Sequence, residues 1–134
     1  MPSIDAIDGL GHDYATKLRK NRIRTTEALL KRAATRRGRT ELANHIGVND
    51  SIVLRWVNRA DLMRVKGVGS EYAAVLEIVG VDTIRELRRR KAKALTAAIT
   101  EANEERHLLR RLPTEGMVSA WVATAAELEP LVRY

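Results

Sequence analysis

Apolar residues recur at helical spacing in two stretches of this chain that have nearly the same sequence. Residues 7–18 are IDGLGHDYATKL, and residues 65–76 are VKGVGSEYAAVL. After the second glycine of each stretch, a tyrosine, an alanine and a leucine stand at positions i, i+1 and i+4, the spacing of one buried helical face. No segment alternates apolar and polar residues over a length that indicates a strand. The pattern predicts an all-α fold.

The two stretches belong to a longer internal repeat. Residues 7–29 and 65–87 align at an offset of 58, with seven identities in 23 positions. A later pair, IVLRWVNRA at 52–60 and MVSAWVATA at 117–125, aligns at an offset of 65, so the second copy has extra residues in its middle. We predict a pseudo-symmetric, duplicated helical chain with units at 1–62 and 63–134, packed together as one compact domain.

Polar residues mark where several predicted helices begin. The Thr pair at 25–26 and the Asp-Thr pair at 82–83 can cap the helices that follow them. Asp61 can cap a short helix that leads into the second Gly-x-Gly, and Ser3 can cap a helix of about one turn ahead of the first.

Four aromatic residues repeat between the units. Trp56 and Trp121 lie on the apolar face of the last helix of each unit, and Tyr14 and Tyr72 follow the glycines. A base-stacking role is conceivable for such rings, but their place on apolar faces favours core residues.

The composition excludes several classes of function. Cysteine is absent and the three histidines are scattered, so the chain offers no thiol nucleophile and no spacing typical of a metal site. No recognisable catalytic constellation is present. We expect a protein that is not an enzyme, with no catalytic residue, no metal and no cofactor. The N-terminus has no apolar signal core and no stretch approaches the roughly 20 apolar residues of a membrane span, so we expect a cytoplasmic protein without a membrane partner.

The charge is positive and clustered. The formal net charge is +7; residues 17–39 hold ten Lys or Arg against Glu27, and residues 85–93 hold six against Glu86. Such clusters suit an anionic partner, most simply a nucleic acid. A solvated, solubilising face is the alternative interpretation.

The Gly-x-Gly sequences suggest backbone chemistry. Glycine tolerates positive φ and lacks a β-carbon that would block close approach. A tight turn that enters a helix aims unpaired N–H groups outward, and the helix dipole adds positive potential there. Such a turn can hold a phosphodiester oxygen without reading a base, or it can simply join two helices.

These residues resemble the helix-hairpin-helix motif of many DNA-repair and recombination proteins. The second copy matches it at Val65, Gly67, Val68, Gly69, Ala73, Leu76, Gly80 and Val81, and the first at Ile7, Gly9, Leu10, Gly11, Ala15, Leu18 and Ile23, with Arg22 in place of Gly80. Over nearly its whole length, the chain is similar to bacterial proteins of domain of unknown function 4332. The resemblance implies tandem helix-hairpin-helix units whose hairpin amides hold phosphates of one strand.

The chain departs from that motif just after the second glycine of each copy. A Lys or Thr commonly assists there in the DNA-binding relatives, whereas this chain has His12-Asp13 and Ser70-Glu71. The two acids suit the first turn of a helix, yet they would repel a phosphate. If only one hairpin binds, charge favours the first and motif quality favours the second.

We therefore predict a DNA-binding protein without sequence specificity, and the alternative is a protein–protein adaptor with a structural helix-hairpin-helix scaffold. DNA is favoured over RNA, protein partners are possible, and the oligomeric state is open. Residues 41–57 also resemble a helix-turn-helix with exposed Arg55 and Arg59, although a degenerate hairpin is the favoured interpretation. The candidate DNA-binding residues are Gly9, Leu10, Gly11, His12, Lys17, Lys20, Arg22, Arg24, Lys66, Gly67, Val68, Gly69 and Ser70.

Overall fold

The computed structural model describes residues 2–7 and 9–134, and regular structure within them is helical apart from one isolated bridge between Ser3 and Thr25. The all-α prediction is confirmed. A short 3-10 helix, Ile4–Ala6, comes first. The α-helices of these described residues are α1 (His12–Lys20), α2 (Thr26–Ala33), α3 (Arg36–Ile46), α4 (Asp50–Leu62), α5 (Ser70–Ile78), α6 (Ile84–Arg89), α7 (Ala92–Arg106) and α8 (Glu115–Glu127).

The chain divides into two compact units. The first comprises Met1–Asp61 together with Leu131–Tyr134, and the second comprises Leu62–Pro130. The division lies one residue before the boundary expected from the repeat. The return of residues 131–134 to the first unit is a feature that the repeat did not predict.

Side-chain and backbone contacts explain why the last four residues belong to the first unit. The Arg133 N–H donates to the Ala34 carbonyl over 2.8 Å, and Nη2 of Arg39 donates to the Arg133 carbonyl over 2.7 Å. The Tyr134 hydroxyl donates to Oδ1 of Asn58 over 2.9 Å. Arg39 is only 4% exposed, and this burial lowers the pKa of its guanidinium. Arg39 belongs to the cluster of ten cations at residues 17–39, which we call the first basic cluster, and it binds the C-terminal residues to the first unit.

The core of the first unit is mainly aliphatic. Each helix of the unit contributes side chains that are fully or almost fully buried, and burying a leucine stabilises the fold by roughly 2 kcal/mol. Trp56 is 6% exposed and packs on Tyr14, so the prediction that this tryptophan is a core residue is confirmed. Core residues of this unit include Ile7, Leu10, Leu18, Leu29, Leu42, Ile46, Val53 and Val57.

The second unit packs α6 and α7 against α8, with α5 against α7. Trp121 is 2% exposed and belongs to the apolar cluster of this unit, which also confirms its prediction as a core residue. The helix expected to begin at Asp61 does not exist as a separate element. α4 continues through Asp61 to Leu62 because no glycine or proline interrupts its sequence there. Other core residues are Leu62, Val65, Val68, Leu76, Ile84, Leu87, Leu95, Ile99 and Val118.

Threonine side chains begin four of the helices. Thr25, Thr35, Thr83 and Thr114 each accept a hydrogen bond from an N–H in the first turn of α2, α3, α6 and α8. The caps predicted at 25–26 and 82–83 are confirmed. Ser3 caps the short 3-10 helix through the N–H of Asp5, also as predicted.

None of the helices in the described part of the chain combines the length and apolar character needed to cross a bilayer. The cytoplasmic location stays a prediction.

Candidate nucleic-acid interface

Two tight turns, each leading into a helix, carry the Gly-x-Gly sequences. We refer to residues 9–12 as the first corner and to residues 67–70 as the second corner. The Leu10 N–H donates to the Ile7 carbonyl over 3.3 Å, and the Val68 N–H donates to the Val65 carbonyl over 3.0 Å. The Leu10 and Val68 side chains are buried. These two predicted DNA-binding residues therefore fix the turns from inside and direct neither side chain nor N–H to a ligand.

The two corners differ in backbone conformation. Gly9 and Gly67 have φ of +82° and +89°, values that disfavour any residue with a β-carbon. Gly11 also has a positive φ, +80°, whereas Gly69 has φ −89° and ψ −171°, which is extended backbone open to most residues. The fold therefore requires glycine three times in these corners, and Gly69 is the exception.

The helices that leave the corners begin without a side-chain cap. Gly11 and Gly69 occupy the capping positions of α1 and α5, and neither helix has a side-chain hydrogen bond at its start. The first N–H groups of a helix have no intrahelical acceptor, so those of α1 and α5 are candidate phosphate donors. Asp13 and Glu71 lie exposed in the same first turns, and they reduce the positive potential there.

Two arginines from α4 meet the first corner. A pocket of about 230 Å³ is lined by Gly9, Tyr14, Ile52, Arg55, Trp56 and Arg59. A β-carbon placed on Gly9 would lie 3.9 Å from Nη1 of Arg59, so the guanidinium reaches the glycine itself. The pocket therefore combines a glycine, which has no side chain to block the backbone, with two arginines. A guanidinium group can donate two parallel hydrogen bonds to phosphate oxygens, so both arginines are suited to bind a phosphate.

These two arginines are absent from the predicted DNA-binding set. The sequence contained a signal for them, since they lie one residue before and three residues after Trp56 on α4. Trp56 packs on Tyr14 of α1 with ring centroids 5.4 Å apart, and this contact brings that part of α4 to the first corner. Arg55 and Arg59 are four residues apart, so they share one helical face, and both line the pocket with Gly9 and Trp56.

The second corner has different neighbours. A β-carbon placed on Gly67 would lie 3.2 Å from Nε1 of the buried Trp121, so the indole lies against the glycine. The positions that align with Arg55 and Arg59 are Ala120 and Thr124. Lys66 is exposed beside this corner, and Ser70 is half-buried at the start of α5.

The remaining predicted residues of the first unit lie on and just after α1. His12, Lys17, Lys20, Arg22 and Arg24 are all exposed. Lys17 donates to the Ile46 carbonyl over 3.4 Å, with its Nζ 5.7 Å from the Tyr14 ring centroid. Lys20, Arg22 and Arg24 have no side-chain hydrogen bond or ion pair to any other described residue.

Ion pairs neutralise part of the first basic cluster. Arg19 lies 2.8 Å from Asp5, and its hydrogen bond holds the pKa of that carboxyl below the ordinary value. Lys31 pairs with Glu27, and Arg37 pairs with Glu41. With Arg39 holding the C-terminal residues, the cations available to a ligand are fewer than the sequence count implies.

The chain belongs to the family described as Domain of unknown function (DUF4332), whose model matches residues 8–128. No curated protein and no solved structure matches the chain.

Proposed function

We propose that the chain is a tandem duplication of two helix-hairpin-helix units and that its first corner binds the phosphate backbone of DNA without base specificity. Local geometry supports the duplication. Tyr14 and Trp56 pack with centroids 5.4 Å apart and planes at 52°, and Tyr72 and Trp121 pack at 5.0 Å and 50°. Arg22 at φ +66° and Gly80 at φ +93° occupy the same left-handed position after their helices.

Helix lengths are consistent with the change of offset between the two copies. α6 has six residues where α2 has eight, and α7 has 15 where α3 has 11. The connection before α8 is five residues longer than the one before α4. Together these differences give the seven extra residues of the second copy, and none of them falls within a corner.

The observation that carries the DNA proposal is the meeting of Arg55 and Arg59 with Gly9. Neutralising phosphates with arginine releases counterions, which is the main source of affinity in binding without sequence specificity. Further exposed cations of the same unit lie on and just after α1: Lys17, Lys20, Arg22 and Arg24. Asp13, exposed in the first turn of α1, is the acid that opposes a phosphate at this corner.

A paired substitution tests the first corner. Arg55→Gln with Arg59→Gln should weaken binding of a labelled 16-base-pair duplex about tenfold or more at low salt and reduce the salt slope by about 2. Lys31→Gln with Arg37→Gln is the matched control, because it removes two charges from the same unit and should cost no more than about threefold. Equal losses would contradict the proposal, provided that circular dichroism shows both variants folded.

The resemblance to DNA-repair proteins favours DNA over RNA, since phosphate contacts alone do not distinguish the two polymers. Replacing the duplex by RNA of the same sequence measures that preference directly. Two scrambled duplexes should bind alike, because base edges play no part in the proposed contact.

One observation favours the adaptor as a second candidate function. Leu108 and Leu112 are 41% and 43% exposed in the connection between α7 and α8. That connection is fixed by the Leu109 N–H, which donates to Asn103 over 2.8 Å, and by the Tyr72 hydroxyl, which donates to the Arg111 carbonyl over 3.0 Å. A segment that is fixed in place and exposes two leucines is suited to contact the surface of another protein. Partners that survive nuclease treatment in a pull-down would favour this function.

A further inference from the structure

The second basic cluster, at the end of α6 and the start of α7, keeps nearly all of its charge. Its one acid, Glu86, lies 3.0 Å from Arg90, which also donates to the Gly80 carbonyl. The other five cations make no hydrogen bond or ion pair through their side chains within residues 2–7 and 9–134. We define these five as the α6–α7 patch: Arg85, Arg88, Arg89, Lys91 and Lys93.

The guanidinium of Arg88 is the most informative member of the patch. Its Nε and Nη2 atoms are buried and have no hydrogen-bond partner in the part of the chain that the structure describes. A buried charged donor without an acceptor is costly to the fold. These two nitrogens form the guanidinium edge that meets two oxygens of a phosphate or carboxylate side by side. Arg88 as a residue is only half-buried, so rotation about its side-chain bonds can bring this edge to the surface.

The start of α7 adds positive potential to the same place. α7 is 15 residues long, its capping residue Lys91 makes no side-chain hydrogen bond, and its first turn contains no acid. By contrast, α2, α6 and α8 begin with a threonine cap and an acid in the first turn. The unpaired N–H groups of this first turn therefore lie beside Lys91 and Lys93 with no acid in that turn to offset them.

We propose that the α6–α7 patch is a second binding surface for a nucleic-acid backbone, independent of either corner. The identity of the anion as nucleic acid rests on the proposed function. Four exposed cations within five residues of Arg88 along the chain, together with its two-nitrogen donor edge, suit a run of successive phosphates better than a single carboxylate. The patch contains no aromatic residue on which a base could stack, and its Lys and Arg side chains suit contacts with phosphates.

A substitution of Arg88 separates its role in binding from a role in folding, through the duplex affinity and the melting temperature of one variant. Arg88→Met should leave the melting temperature unchanged or higher, because it removes buried donors that have no partner. The same variant should weaken duplex binding about threefold to fivefold. A lower melting temperature would show that Arg88 is structural and would overturn its role in binding.

A second pair of variants tests the patch independently. Lys91→Gln with Lys93→Gln in the full chain should weaken binding of the 16-base-pair duplex about tenfold and reduce the salt slope by about 2. Arg110→Gln with Arg111→Gln is the matched control, since it removes two exposed cations from the same unit. If the two double variants lose the same duplex affinity, the α6–α7 patch is only a solvated surface and the proposal is overturned.

Comparison with the corner variants distinguishes the two proposals. Loss on substitution of Lys91 and Lys93, with binding retained after substitution of Arg55 and Arg59, would support the patch and contradict the corner. The reverse result would overturn the patch alone. Amide NMR shifts at residues 92–94 on addition of the duplex should accompany binding at the patch, and their absence at saturation would count against it.

Discussion

The first and second corners share one sequence phrase and the same backbone hydrogen bond across the turn, but they differ in the conformation of the second glycine and in the chemistry of their surroundings. In the first corner, two arginines line a pocket that reaches Gly9. In the second, the indole of Trp121 lies against Gly67, Ala120 and Thr124 stand at the positions that align with the two arginines, and the exposed cation beside the corner is Lys66. The glycines determine the path of the backbone, whereas residues 46 to 54 positions further along the chain determine what that backbone can bind. A glycine motif is therefore evidence for a turn before it is evidence for a ligand.

The largest effect should come from the contact between Gly67 and Trp121. Gly67→Ala introduces a β-carbon at positive φ and also requires the buried indole to shift, so the free energy of unfolding should fall by about 3 kcal/mol. Gly9→Ala has the same backbone strain but only an ordinary contact with Arg59, and it should cost about 1–2 kcal/mol. Urea unfolding followed by circular dichroism measures both. Equal costs would mean that Trp121 does not restrain the second corner.

Serine in place of the glycine that precedes α1 or α5 should change the free energy of unfolding in opposite directions. Gly69→Ser places a good capping side chain on extended backbone in open space, and it should raise the free energy of unfolding by a few tenths of a kcal/mol. Gly11→Ser must adopt φ +80° and should cost about 1–2 kcal/mol. Thermal unfolding compares the two. DNA affinity should stay within about twofold for Gly69→Ser, and a large loss of affinity would identify the second corner as a binding site.

The smallest effect is a gain of binding at the second corner. Thr124 aligns with Arg59, so Thr124→Arg should strengthen duplex binding about threefold at low salt and steepen the salt slope by about 1. Ala123→Arg is the matched control, because it adds the same charge to a neighbouring position on another face of α8. A similar gain for both variants would show that only net charge matters. In that case the difference between the corners would have no functional consequence.

The two basic clusters give a second contrast of the same kind. Counted along the chain, the cluster at 17–39 is the stronger, with ten cations. In the folded protein, Asp5, Glu27 and Glu41 neutralise three of them, and a fourth, Arg39, is buried. Within the described residues, the cluster at 85–93 loses Arg90 to an ion pair, and two guanidinium nitrogens of Arg88 are buried without a hydrogen-bond partner. A count of charges in a sequence does not measure the charge available to a ligand.

Much of the secondary structure could be predicted because its causes are local. The threonine caps at 25 and 83, the apolar faces that carry Trp56 and Trp121, and the left-handed glycines depend on residues within a few positions of each other. The one separate helix predicted wrongly, at Asp61, failed because a capping residue does not begin a helix where an existing helix continues through it. Sequence periodicity shows which residues a helix buries, but it does not show where a neighbouring helix ends.

By itself, the sequence determined that the chain is helical, that its two halves repeat a turn and a helix, and that its core is built from aliphatic residues and two tryptophans. Only the tertiary structure decided which cations remain available, which corner Arg55 and Arg59 meet, and that residues 131–134 return to Arg39. The physical reason is one of range. Backbone conformation depends on sterics and hydrogen bonds between near neighbours in sequence, whereas charge pairing and close approach depend on distances in space between residues that are remote along the chain.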